Sequence, residues 1–262
     1  MSETNHISFV EIMSGFAPVT LEEMDSVKLM NRIDSKYLTD EKSLVEILLE
    51  AQKAGYRALE TDGAKINPYD SLYYDTEDLS MYYAHRNRKL TRQKVRTRTY
   101  LTTGISFLEI KRKNNKGRTK KKRTGIPFSD FRDFSSNAEA TDYLARHSAF
   151  TAFELKPVVE TIFNRITLVN PAMTERLTID TCLNFRNYRT ERDASLKNAV
   201  IIELKQDGRT SSQMKIILNE HRVKPRRVSK YCVAVTMTDP QVRPGRFKQK
   251  VHIIEKIINQ NN

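Results

Sequence analysis

The stretch Thr91-Arg-Gln-Lys-Val-Arg-Thr-Arg-Thr-Tyr100 alternates in chemistry with a period of two residues, which is the period of a β-strand. Residues two apart share a face of a strand, so one face carries four successive cations, which are Arg92, Lys94, Arg96 and Arg98. These cations repel one another by about 1 kcal/mol per pair in water and by more at lower dielectric. The stretch therefore predicts a strand with one cationic face, and the repulsion along that face needs an explanation.

The same period-two alternation recurs along the chain, and several of the stretches are separated only by short turn sequences. The predicted strands are Asp34–Leu38, Ser71–Asp75, Thr91–Leu101, Ile105–Lys113, Arg118–Ile126, Pro157–Val169, Glu175–Phe185 and Ala199–Lys205. Leu101–Gly104 and Asn114–Gly117 have the composition of hairpin connections. Successive hairpins predict an antiparallel sheet.

Caps and helical spacing predict helices around these strands. Thr20 and Glu23 form a capping box, and Asp40 has the position of an N-cap before Leu44 and Leu48. The predicted helices run from Thr20 to about Met30, Asp40 to Gly55, Glu77 to Arg86, Asn137 to His147, Ser211 to His221 and Phe247 to Ile258. The fold class is α+β, dominated by β structure.

Several other predicted strands carry cations and an isolated carboxylate on one face. These residues are Glu109, Lys111, Arg165, Arg176, Asp180, Glu203 and Lys205. A solvated sheet face is the simpler interpretation of any one such strand. The recurrence instead predicts one shared concave surface, which an antiparallel β-barrel with a cationic lumen would create if helices covered its apolar outer face.

The chain has 45 Lys and Arg against 32 Asp and Glu, a formal net charge of +13. Converging cations suit an anion with many oxygens, and a phosphate chain matches best. Each Arg guanidinium can form two parallel hydrogen bonds with a phosphate group, and each Lys ammonium adds a point charge. The few carboxylates, chiefly Glu109, Asp180 and Glu203, could share a hard divalent cation with phosphate oxygens. The sequence contains no glycine-rich phosphate loop, so side chains must do the binding.

The sequence also excludes other classes. It has two cysteines and no C-x-x-C motif, which excludes a thiolate zinc site. It has no apolar run of 18 or more residues and its N-terminus lacks the features of a secretory signal, so we expect a cytoplasmic protein without a transmembrane segment.

Seven short blocks resemble, in order, those of the VTC domain, the polyphosphate polymerase branch of the triphosphate tunnel metalloenzymes. They read RIDSKY (32–37), SLYYDT (71–76), KVRTRTY (94–100), LEIKRK (108–113), RLTID (176–180), IELK (202–205) and VSKY (228–231). The resemblance covers about Asn31 to Tyr231. It implies one tunnel domain over residues 1–262, with a core of about 31–231 and flanking helices. It also implies a helix starting near Tyr231, where composition from Val228 onward favours a strand.

The resemblance implies an activity. In that family the terminal phosphoryl group of ATP passes to a growing inorganic polyphosphate chain inside the tunnel, assisted by Mn²⁺ or Mg²⁺. Carried over by position, the candidate catalytic residues are Lys36, Arg96, Arg98, Lys111, Lys121, Arg123, Arg165, Arg176 and Lys230. Lys94, Glu109 and Lys205 would bind substrate, and Glu203 would hold the metal. The register of Lys120–Arg123 stays open, with Lys122 as the competitor of Lys121.

Alternatives remain. Hydrolytic relatives open with E-x-E-x-K, where this chain has Arg32 and Asp34, so a triphosphatase of the same fold is the weaker hypothesis. Another hypothesis is a non-catalytic module that binds polyphosphate or nucleic acid through the basic run Lys111–Arg123. Against nucleic acid, Trp is absent and few aromatic residues flank the run to stack on bases. The expected partners are ATP and polyphosphate, with no specific nucleic acid. The family also leaves room for docking on a membrane-protein partner.

Overall fold

The computed structural model describes residues 9–25, 32–208 and 210–259. The strands are β1 (Ala17–Val19), β2 (Arg32–Asp40), β3 (Arg57–Leu59), β4 (Asn67–Asp75), β5 (Arg92–Tyr100), β6 (Ile105–Lys113), β7 (Thr119–Ile126), β8 (Lys156–Val169), β9 (Glu175–Asn187), β10 (Asp193–Leu196) and β11 (Ala199–Asp207). The helices are α1 (Phe9–Ser14), α2 (Leu21–Asp25), α3 (Glu41–Lys53), α4 (Ser80–Arg86), α5 (Ala138–His147), α6 (Gln213–Glu220), α7 (Lys230–Thr238) and α8 (Arg246–Asn259).

The long strands form one sheet in the order β2-β11-β9-β8-β4-β5-β6-β7, and every neighbouring pair along this path is antiparallel. Short β1 pairs with β3 in parallel, while β3 joins β8 and β10 joins β9. The predicted α+β class and antiparallel sheet are confirmed, and helices flank the sheet.

The sheet is not a closed barrel, so that part of the prediction is wrong. Within the described residues, no ladder joins the terminal strands β2 and β7. The outer edge of β2 is met instead by a later segment of the chain: the amide of Arg226 donates to the carbonyl oxygen of Lys36 at 2.6 Å, and Pro225 bridges to Tyr37. These contacts occupy backbone hydrogen-bonding groups of β2 that would have to pair with β7 if the sheet closed into a barrel.

The sheet nevertheless curls strongly. Lys111 on β6 lies near enough to Glu203 on β11 and Lys36 on β2 for their charges to act on its pKa, although these strands are far apart in the sheet order. The curl gives the sheet a concave side and a convex side.

Apolar side chains on the convex side pack under helices. Leu177, Ile179, Ile202 and Leu204 join α3 and α6 in one core, and Val95, Leu108 and Ile110 join α5 in another. Helix α3 begins as predicted, because the Asp40 side chain accepts from the amide of Ser43 at 2.9 Å. The Thr20–Glu23 capping box is also present, in α2. The predicted continuation of that helix to Met30 lies outside the described residues.

Helix α7 lies on the concave side. Its residues pack against concave-side aromatic rings, and Tyr231 stacks on Tyr73 with centroids 5.2 Å apart. The helix is buried nearly all round, from Tyr231 to Val235. A helix buried on every side has no polar stripe, so its composition resembles a buried strand. This explains why composition favoured a strand here, while the family resemblance indicated the helix.

Other elements also differ from the prediction. The third helix begins at Ser80 rather than Glu77, and the stretch 187–197, which lies outside every predicted strand and helix, contains β10. Strand β10 is four residues long and pairs with β9 along its whole length, so tertiary pairing stabilises what local periodicity does not reveal.

Candidate functional site

The antiparallel register places the candidate cations on the concave side. Directly opposite residues share a face of a sheet. The pairs that connect the strands are Lys36 with Glu203, Lys205 with Arg176, Asp180 with Arg165, Ser71 with Arg98, Arg96 with Glu109, Lys94 with Lys111, and Glu109 with Arg123. We call this surface the concave face, and its charged members are Lys36, Lys94, Arg96, Arg98, Glu109, Lys111, Lys121, Arg123, Arg165, Arg176, Asp180, Glu203 and Lys205. Lys230 reaches it from α7.

The pairing of β6 with β7 fixes the register that the sequence left open. Lys121 lies opposite Lys111 and Arg123 lies opposite Glu109, so both belong to the concave face. Lys122 lies opposite Ile110, which is buried on the convex side. The guanidinium of Arg123 lies 4.5 Å from the centre of the Phe107 ring.

Glu109 holds two cations together. Its Oε2 accepts from Arg96 Nε at 2.8 Å and Nη2 at 2.5 Å, and its Oε1 pairs with Lys121. Burial alone would raise the pKa of Glu109, but the charges of Arg96, Arg98 and Lys121 outweigh burial and hold that pKa well below its usual range. Glu109 is therefore ionised and orients cations.

Asp180 forms a second such group. Arg165 donates to both carboxylate oxygens, from Nε at 2.6 Å and from Nη2 at 2.9 Å, and Lys230 donates to Oδ2. The Lys230 ammonium also lies 3.5 Å from the centre of the Phe163 ring. Burial opposes ionisation of Asp180, yet Arg165 and Lys230 hold its pKa well below the usual range. This group joins β8, β9 and α7.

Glu203 forms the third ion-paired group of the concave face. It accepts from Lys36 Nζ at 3.2 Å and pairs with Lys205 Nζ at 2.5 Å. Burial raises its pKa, but Lys36 and Lys205 more than compensate and hold the pKa well below the usual range. The Glu203 side chain is 18% exposed, against 2% for Glu109 and 5% for Asp180. Of these three carboxylates, Glu203 is the one that solvent, and hence a solvated ion, reaches best.

Arg98 is held differently. Its Nε donates to Ser71 Oγ at 2.9 Å, and its guanidinium lies over the rings of Tyr69 and Phe163 at 5.2 and 5.8 Å from their centres. Among the described residues, no carboxylate forms an ion pair with it. Burial, followed by repulsion from Arg96, lowers the pKa of Arg98 to about 10. A charged guanidinium without a carboxylate partner retains hydrogen-bond donors that can bind an anion.

Lys94 and Lys111 are similar to Arg98 in this respect. Lys94 Nζ donates to Ser229 Oγ at 2.7 Å, and burial lowers the pKa of both lysines. Neither has a carboxylate within ion-pair distance in the part of the chain that is described. Solvent reaches the Lys111 side chain although protein walls surround it. Arg176 lies half-buried on the same face, opposite Lys205.

Sequence reasoning missed the polar and aromatic residues that support the cations. Tyr73 accepts from Arg96 Nη1 at 2.9 Å, and Tyr69 lies under Arg98 and Arg165. Burial would raise the pKa of Tyr73, but Arg96, Lys94 and Arg98 lower it overall. The signal was present, because Tyr69, Ser71 and Tyr73 alternate with period two in β4.

Asp75 is a cap that also anchors α7. Its two oxygens accept from the amides of Met81 and Tyr82 at 2.8 Å each, at the start of α4, and it also accepts from the hydroxyl of Tyr231. Tyr231 follows Lys230 directly, so Asp75 helps to position the first turn of α7 against the concave face.

No group of three or more His, Cys, Asp or Glu that could hold a metal occurs among residues 9–25, 32–208 and 210–259. A divalent ion at Glu203 would therefore take most of its ligands from a bound phosphate compound, which is how Mg²⁺ is commonly held. In the same ranges, no helix is both long and apolar enough to cross a membrane.

A curled antiparallel sheet flanked by helices also occurs in solved structures of other proteins. A proposed adenylyl cyclase from Hippeastrum, described as revealing a dominant triphosphatase activity, has a TM-score of 0.51 at 13% identity, covering 79% of this chain and 96% of its own. A proposed adenylate cyclase from Bacillus halodurans has a TM-score of 0.49 at 13% identity, covering 76% and 96%. Because the identity is only 13%, the likeness to the Hippeastrum protein shows the fold alone.

The family model of the VTC domain matches residues 31–238. The chain therefore belongs to the VTC domain family. No curated protein gives a significant match to the sequence.

Proposed function

We propose that this protein is an ATP-dependent polyphosphate polymerase that transfers the terminal phosphoryl group of ATP to an inorganic polyphosphate chain bound on the concave face. The observation that carries the proposal is a pair of cations without carboxylate partners among the described residues, the buried Arg98 and the half-buried Lys94, beside three ion-paired groups. Cations outnumber carboxylates there, which suits a ligand with many negative charges.

The chemistry would be electrostatic. The acceptor is a phosphate oxygen that is already ionised, so the reaction requires no general base. Phosphoryl transfer depends on in-line positioning and on neutralising charge. Arg98, Lys94 and Lys111 would hold donor and acceptor close together against their mutual repulsion. The carboxylates Glu109 and Asp180 would keep the surrounding guanidinium groups oriented.

The residues present fit a metal that arrives with the nucleotide. Glu203 is ionised and accessible, and one carboxylate together with phosphate oxygens is a sufficient set for Mn²⁺ or Mg²⁺. When bound, such an ion would neutralise charge on the leaving diphosphate. Glu203 would hold the ion, and the adjacent ammonium groups of Lys36 and Lys205 would contact the same phosphates.

Triphosphatase activity on the same fold is the alternative. Hydrolytic relatives carry a pair of carboxylates where this chain has Arg32 and Asp34, and the proposal of polymer synthesis is supported by that difference. The two activities use the same donor and differ in acceptor, so product analysis separates them.

The test is to incubate the purified protein with ATP and Mn²⁺, to separate the products on a polyphosphate gel and to measure ADP in parallel. We expect a ladder of polymer together with ADP, and little free phosphate. Stoichiometric free phosphate without a ladder would show a triphosphatase instead. If ATP were not consumed with any divalent ion, the protein would be a binding protein and the proposed enzymatic activity would be wrong.

A further inference from the structure

A second cationic surface lies on the convex side of the β6–β7 hairpin. A cleft of about 320 Å³ opens there between the hairpin and the end of α5, and its polar lining includes Arg112, Lys113, Arg118, Lys120, Lys122 and His147. Arg112 and Lys120 lie directly opposite each other in the register, and Lys122 lies opposite Ile110. We call this the outer cleft. Arg112, Lys120 and Lys122 face away from the concave face, whereas Lys113 has the strand parity of Lys111 and lies at the end of β6.

The cations of the outer cleft are not neutralised by the protein. Among the described residues, none of the five Lys and Arg side chains of its lining forms an ion pair with a carboxylate, whereas Arg96, Lys121, Arg165 and Lys230 on the concave side all do. Arg112 donates to the carbonyl oxygen of His147 at 3.4 Å. Like charges placed opposite each other destabilise a sheet, so a bound polyanion would relieve a strain built into this hairpin.

The outer cleft and the concave face lie on opposite sides of the same β6–β7 hairpin. Lys111 and Lys121 face each other on the concave side, while the adjacent residues Arg112 and Lys120 face each other on the convex side. In the described part of the chain β7 is the last strand of the sheet, so no further strand separates the two surfaces at that edge. A linear chain could pass from one side to the other over an edge lined with cations.

The chemistry of the outer cleft favours a chain of phosphates without bases or lipid tails. The cleft's lining contains no Phe, Tyr or Trp on which a base could stack. The exposed hairpin turn, Asn114–Gly117, contains no apolar side chain that could enter a lipid layer. Binding there would be almost purely electrostatic.

We infer that the outer cleft binds inorganic polyphosphate outside the concave face, as a second site along the same chain. The inference rests on the proposed function for the identity of the polymer. It predicts that a long polyphosphate engages both surfaces, whereas tripolyphosphate is short enough to be held on the concave face alone.

The test compares two triple variants that remove the same charge. The cleft variant is R112S/K120S/K122S, and the control is K42S/K53S/K197S, whose lysines are exposed and lie on other elements. Affinity is measured for long-chain polyphosphate and for tripolyphosphate across a range of salt concentrations. Thermal unfolding of both variants verifies folding, and we expect the cleft variant to be at least as stable as wild type because repulsion is relieved.

We expect the cleft variant to lose about tenfold or more in affinity for the long chain, with a salt-dependence slope smaller by about 2, since each lost phosphate contact accounts for roughly 0.7. Its affinity for tripolyphosphate should stay unchanged. Equal affinity of the cleft and control variants for long-chain polyphosphate would overturn the inference. It would also be overturned if single-stranded RNA displaced bound long-chain polyphosphate from the wild-type protein as well as unlabelled polyphosphate of the same charge does. Because no turnover is needed, a protein that makes no polymer but shows this pattern would contradict only the polymerase proposal.

Discussion

Arg98 differs from Arg96 two residues earlier on the same strand, although the sequence presents them as equivalent. Arg96 is neutralised by Glu109, while Arg98 has a serine hydroxyl and two aromatic rings as its contacts in the described chain. Strand parity alone cannot tell which cation a carboxylate on the neighbouring strand will contact. The difference decides which side chain is available to an incoming anion.

The substitution Arg98→Met should separate function from stability. We expect phosphoryl transfer and tripolyphosphate binding to fall by at least tenfold. The free energy of unfolding should rise by about 1–3 kcal/mol, because the protein no longer holds a buried cation whose pKa is lowered to about 10 by burial and by Arg96. The measurements are the polymer assay and urea denaturation.

Arg186→Met is the matched control, since Arg186 is an arginine in β9 with a side chain that is 57% exposed. It should change neither quantity appreciably. If Arg98→Met kept full activity, the proposed role of this side chain in holding phosphate would be wrong. A large loss of stability would show that Ser71 and the two rings compensate the buried charge.

At the scale of elements, α7 depends on the sheet for its position. Its first residue, Lys230, pairs with Asp180 on β9, and its second, Tyr231, donates to Asp75 at the end of β4. The cap Ser229 also accepts from Lys94 on β5. Three separate strands therefore fix the N-terminal end of this helix beside the cations.

Asp180→Asn should loosen that arrangement. It removes the carboxylate from two buried cations, so we expect a loss of about 3–5 kcal/mol in the free energy of unfolding. Transfer activity should fall as well, because Arg165 and Lys230 lose their orientation. Chemical denaturation and the polymer assay are the measurements.

The control is Asp193→Asn, which removes an exposed carboxylate 3.9 Å from Arg186 and should cost less than about 1 kcal/mol. Equal small effects of the two substitutions would mean that the Asp180 group does not stabilise α7.

At the scale of the whole molecule, the concave face makes stability depend on pH. Glu109, Asp180 and Glu203 all have pKa values held below their usual range by neighbouring cations. A carboxylate with a lowered pKa contributes stability that is complete above its unfolded pKa, near 4 to 4.5, and that is lost as the pH falls through the folded value. The protein should therefore lose stability steeply in acid.

Comparison with Asp180→Asn isolates this effect from the other carboxylates. The difference in unfolding free energy between wild type and Asp180→Asn should be constant from about pH 7 to about pH 5 and should shrink below about pH 4. Denaturant titrations across that range provide the measurement. A difference that stays constant down to about pH 2 would contradict ionisation of Asp180 as the source of its stabilisation.

The sequence by itself determined the eight long strands of the sheet path, their shared cationic side and the family, because strand parity and motif order are local properties. The choice of Lys121 and Arg123 over Lys122 as candidate site residues came only from the family resemblance. The register between β6 and β7 depends on how the two strands pair, which the sequence of either strand does not show. Tertiary structure alone decided that the sheet curls without closing, since the segment at Pro225 and Arg226 contacts the edge of β2. It also decided which cations remain unpaired, because that depends on distances between strands far apart in sequence, which no local pattern encodes.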